Sequence, residues 1–117
     1  MALFRSFLVT CLVVVVAYTV VTIRDHGLGL LPIFFGDMAK MAWPGQFNLD
    51  FFTLLLLSGL WVSWRHHFSA GGIALGVVAV FGGMPFLATY LLIASFATGG
   101  DIEAILLGEA RAELSPR

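Results

Sequence analysis

Cysteine is almost absent. Cys11 stands alone among 117 residues, so no intrachain disulfide and no CxxC redox or zinc site can form within this sequence. Charge is scarce as well: Asp, Glu, Lys and Arg make up 11% of the residues, against about 25% in a soluble domain. The six basic residues are scattered singly, which excludes the clustered Lys/Arg footprint of a nucleic-acid partner. Nor does the sequence carry a catalytic constellation, a metal-ligand spacing or a phosphate-binding glycine loop. The reading is therefore non-enzymatic and calls for no cofactor.

What is present is hydrocarbon. Hydrophobic residues make up 60% of the chain, its mean hydropathy is +0.99, and residues 68–100 are an uncharged run of 33. About 20 such residues span a bilayer core of about 30 Å. The sequence predicts a single all-α integral membrane domain over residues 1–117. It has three transmembrane helices, an interfacial amphipathic helix and a short C-terminal surface helix.

The first span covers Ser6 to Ile23, densest at Leu12 to Val16 and flanked by Arg5 and by Arg24 with Asp25. Its length as a helix, about 27 Å, suffices to cross. A signal peptide is the rival reading, but no small-x-small cleavage site follows the apolar core. The second span, 47–65, needs Asn48 as an N-cap and Asp50 in its first turn to reach full length, because only 14 uncharged residues run from Phe51 to Trp64. Pro44 and Gly45 are read as the break before it. Trp43 falls at one headgroup level, Trp61 and Trp64 at the other. The third span, 72–98, is longer than the hydrocarbon core, and Pro85 beside Gly82 and Gly83 is expected to kink it.

Leu31, Phe34, Phe35, Met38, Met41 and Ala42 recur at helical spacing opposite Asp37 and Lys40, so residues 30–42 are expected to lie in the interface. Asp101 can cap a last helix over 101–113, with Ile102, Ile105 and Leu106 toward the membrane and Glu103, Glu109, Arg111 and Glu113 toward water. With three crossings, Arg5 and Arg65 share one side, and Arg24, Lys40, Arg111 and Arg117 share the other. The basic excess then favours an outside N-terminus and a cytoplasmic C-terminus.

The candidate functional residues are few. Gly72, Gly76, Ala79 and Gly83 form one small-residue stripe, which lets a neighbouring helix approach closely, either inside the monomer or on another protein. Arg65, His66 and His67 form the densest polar group. Two histidines suggest a metal or proton site, but neighbours on a helix diverge by about 100°, so a polar stop at the interface is the favoured reading. Asp50 is the one carboxylate drawn inside a span; helix capping is favoured over an ion or ligand contact.

The runs Phe35-Gly-Asp-Met, Trp-Pro-Gly-Gln-Phe-Asn-Leu-Asp ending at Asp50, Ser58-Gly-Leu-Trp-Val-Ser-Trp-Arg-His-His-Phe-Ser, Gly82-Gly-Met-Pro-Phe-Leu and Gly100-Asp-Ile-Glu-Ala-Ile-Leu-Leu-Gly carry a resemblance. Over Arg24 to Gly108 the chain resembles small bacterial polytopic inner-membrane proteins of unknown function. The resemblance implies class and a bacterial cytoplasmic membrane, and it assigns no functional residue. The expected partners are the lipid bilayer and other membrane proteins or further copies of the chain. The expected role is an accessory or structural subunit. The alternative is a small oligomeric transporter or ion-conducting protein with Asp50 and His66 on a polar path.

Overall fold

The computed structural model describes residues 1–115, and these are all-helical: α1 (Ala2–His26), α2 (Leu30–Ala39), α3 (Trp43–Arg65), α4 (Ala70–Ala97), α5 (Ile102–Leu107) and α6 (Glu109–Leu114). Three of them, α1, α3 and α4, are long and apolar enough to cross a membrane, which fits a small membrane protein. Each is built on a long apolar stretch, the sequence type that can satisfy its backbone groups within a helix.

Several boundaries move from their sequence expectations. Helix α1 begins at Ala2, so Arg5 lies inside it; its side chain reaches Ser95, where Nε donates to Oγ (3.0 Å) and Nη2 to the carbonyl (2.9 Å). Helix α3 begins at Trp43, with Pro44 in its first turn, where a missing N–H costs nothing. Pro44 and Gly45 thus start a helix instead of breaking one. The break lies at residues 40–42, where Met41 has φ +55°. Asn48 is consequently no N-cap: its side-chain amide donates to the Phe34 carbonyl at 3.1 Å and ties α2 to α3. Phe34, Phe35 and Phe52 pack edge to face beside that bond, with ring centroids 5.2–6.5 Å apart. The expected C-terminal helix is two helices parted at Gly108, whose φ of +86° few other residues adopt. Ile105 is buried, while Ile102 and Leu106 are exposed.

The largest departure lies within α4. Gly83 has φ +58° and ψ −147°, a conformation outside the helical region and essentially reserved for glycine. Residues 70–82 and 84–97 are two helical segments that fold back on each other. A straight helix would separate Gly72 from Tyr90 by about 27 Å, yet both touch His66: a Cβ on Gly72 would lie 2.5 Å from His66 Cβ, and Tyr90 Oη is 2.6 Å from His66 Nε2. The bend sits beside Phe51 and Leu55 of α3. Pro85 falls in the first turn after the bend, where proline is compatible with the helix, so the expected break is at Gly83 and not at the proline itself.

Candidate functional site

One polar cluster organises the end of the molecule that holds the last turn of α3. Arg65 ends α3 and makes three bonds with its planar guanidinium: Nε donates to the Ile105 carbonyl (2.7 Å), Nη2 to the Ala104 carbonyl (3.1 Å) and Nη1 to Tyr90 Oη (2.8 Å). Both carbonyls belong to the last turn of α5: that of Ala104 also accepts the Gly108 N–H (3.0 Å), while that of Ile105 is one of the end carbonyls a helix leaves without a partner of its own. A cation there also meets the negative end of the α5 dipole. Trp61, one turn earlier on α3, donates its indole N–H to the Leu106 carbonyl at 3.0 Å. From the other direction Arg111 of α6 donates to the Trp64 carbonyl and stacks its guanidinium 3.9 Å over the Trp64 ring. Tyr90 completes the cluster, edge to face with Trp61 (5.7 Å) and stacked on Phe86 (5.8 Å).

These bonds clamp α5 and α6 onto α3 and join α3 to the second segment of α4. Arg65→Gln keeps at most part of the fork and removes charged donors from the Ala104 and Ile105 carbonyls, of which Ala104 retains the Gly108 N–H. Charged hydrogen bonds contribute about 1.5–3 kcal/mol each, so residues 102–114 are expected to undock. Limited proteolysis after Arg111, or amide exchange across α5, should accelerate while α1 stays protected.

His66 lies just beyond α3. Burial, then the positive charge of Arg65, then His67, hold its pKa below the ordinary 6.5. Arg65 already donates to Tyr90 Oη, which leaves the phenol proton available for Nε2 of a neutral imidazole. The unfolded chain takes up this proton near pH 6.5 and the folded chain only at lower pH. The His66 contribution is therefore complete above pH 6.5 and declines as pH falls below it. Thermal unfolding in detergent between pH 8 and 5 should show this decline, and His66→Gln should flatten it.

The remaining sequence candidates do not join this cluster. His67 is exposed with φ +59°. Asp50 is exposed on α3 two turns past Trp43, and so is not in the first turn; it lies about 22 Å along α3 from Arg65. Gly72, Gly76 and Ala79 are buried within the chain, Gly72 against the turn at His66 and Gly76 against α3. A Cβ on Gly76 would fall on Ser63 Oγ and 2.7 Å from the Gly59 carbonyl, and one on Gly59 would meet the Gly76 carbonyl at the same distance. Gly83 occupies the bend. Among the described residues no group of three His, Cys, Asp or Glu converges.

Sequence reasoning missed Tyr90, Ser95 and the α5 carbonyls as partners of the arginines. The available signal was the phenol and hydroxyl inside an otherwise apolar run, groups that require partners once buried in lipid. An apolar groove of about 650 Å³ also opens between α3 and the second α4 segment, lined by Phe51, Leu54, Trp61, Met84, Leu87 and Leu91. The Ser58 hydroxyl also lines it, buried and without a hydrogen-bond partner. No family model matches the chain, and no curated protein or solved structure matches it.

Proposed function

We propose that this chain is a non-enzymatic accessory or structural subunit of a membrane-protein assembly in the bacterial cytoplasmic membrane. The observation that carries the reading is the state of α1. Its face toward α4 runs through Phe4, Arg5, Leu8, Cys11, Leu12 and Val15, and every residue from Val16 through Ile33 is exposed. Half of an apolar helix thus has no protein neighbour in the monomer, and a partner helix can pack there by van der Waals contact. The engagement of Arg5, Arg65, Asn48 and Tyr90 in internal bonds supports a structural role over a catalytic one.

Extraction of the tagged chain in mild detergent, followed by native mass and identification of what travels with it, tests the reading. A stoichiometric partner that is lost on replacing Val20 and Val21 with tryptophan agrees with it. A chain that elutes alone, or as a homo-oligomer unaffected by those changes, contradicts it. The transporter reading draws on a different observation, the helix broken at Gly83, since interrupted helices frequently line ion or substrate paths. It expects Asp50→Asn to change flux in reconstituted vesicles.

A further inference from the structure

We propose that residues 70–97 form a re-entrant hairpin, so that the chain crosses the bilayer twice and the residues at both of its ends lie on the cytoplasmic side. Length and composition alone allow α4 to cross. The contacts place its two ends together. Its first residues follow α3 directly, with Gly72 against His66. Its later residues return to the same level, where Tyr90 meets Trp61, Arg65 and His66.

The neighbouring segments agree. Ser95 receives Arg5 from the start of α1, a Cβ on Gly100 would lie 3.3 Å from the Met1 side chain, and α5 is bonded to Trp61 and Arg65. The beginning of α1, the turn after α3, and α5 with α6 therefore share one end of the molecule. The far end of α1 joins α2, which is bonded to the opposite end of α3 through Asn48. Helices α1 and α3 each connect the two ends, and α4 leaves and returns to one of them. The bend reaches only as far as Phe51 and Leu55, some 12 Å short of Trp43 along α3. Non-helical backbone at that depth is tolerated because it packs against protein.

This arrangement moves Arg111 from the side of Arg24 and Lys40 to that of Arg5 and Arg65. The side with Arg5, Arg65 and Arg111 then holds three basic residues against the two of Arg24 and Lys40, and basic excess faces the cytoplasm; Arg117 lies outside the described residues. The outside N-terminus expected from three crossings is thereby reversed, while the cytoplasmic C-terminal side is kept.

Single cysteines in a Cys11→Ser background test the proposal. His67→Cys and Glu109→Cys are expected to react with a membrane-impermeant maleimide together, in inside-out vesicles and not in intact spheroplasts, whereas Leu28→Cys should show the reverse. Labelling of His67→Cys and Glu109→Cys from opposite sides would overturn the hairpin, and labelling of both from outside would overturn the orientation. Reporter fusions to either end of the otherwise unaltered chain give an independent reading. Both are expected to be active as cytoplasmic fluorescent proteins and inactive as alkaline phosphatase, and a split between the two ends would again overturn the hairpin.

Discussion

Gly83→Ala is expected to destabilise the folded chain by about 1–3 kcal/mol, the usual range for forcing a side chain into a backbone region that only glycine occupies freely. The cause is conformational rather than steric, because a Cβ at Gly83 would meet Phe51 at an ordinary 3.4 Å. The residue must hold φ +58° and ψ −147° for the chain to reverse. A valine adds β-branching and should do more harm than alanine. Pro85→Ala provides the contrast. Proline there sits in the first turn of a segment that begins after the bend, so its removal should leave the reversal in place and change stability little. Near-UV circular dichroism of thermal unfolding in detergent, which reports on the packed rings of Trp61, Tyr90 and Phe86, measures all three variants. If Pro85→Ala proved the more damaging change, the bend would belong to the proline.

An effect of about 3 kcal/mol or more is expected for Gly76→Leu, at the upper end of what overpacking costs. Gly59 and Gly76 pass backbone to backbone: a Cβ on either would lie 2.7 Å from the carbonyl oxygen of the other. Neither obstacle is a flexible side chain, so α3 and the first segment of α4 must separate. Val77→Leu, one residue away on an exposed face, should fall within about 0.5 kcal/mol of the unaltered protein. The distinction matters for function. Were the glycine stripe a docking face for another protein, Gly76→Leu would spare the isolated chain and abolish only a complex. Burial of Gly72, Gly76 and Ala79 within the chain, with Gly76 directly against α3, predicts instead that the monomer itself loses stability.

The three apolar helices were legible because hydrophobic length is a one-dimensional property, summed along the sequence without reference to neighbours. The neighbourhood of the bend was legible for the same kind of reason, since Gly82, Gly83 and Pro85 are local interruptions. Its angle was not. An apolar stretch that doubles back has the same hydropathy as one that crosses, and only contacts such as those of Gly72 and Tyr90 with the same His66 separate the two. Pro44 shows a second limit, because one residue type serves both as a helix stop and as a first-turn residue. Taking it as a stop displaced the start of α3 and assigned Asn48 and Asp50 capping roles that the helix from Trp43 removes. The polar cluster was half legible. Arg65 and His66 stood out by charge, whereas their partners are a lone tyrosine and main-chain carbonyls, and carbonyls have no sequence signature at all.

Whether residues 70–97 double back is decided most directly by a distance between nitroxide labels at Ile73 and Ile93, both exposed, in a Cys11→Ser background reconstituted in lipid nanodiscs. On a continuous helix the two backbone positions stand about 30 Å apart. The fold described predicts a distribution centred at least about 10 Å below that value, and a distribution centred at the full helical separation would contradict it.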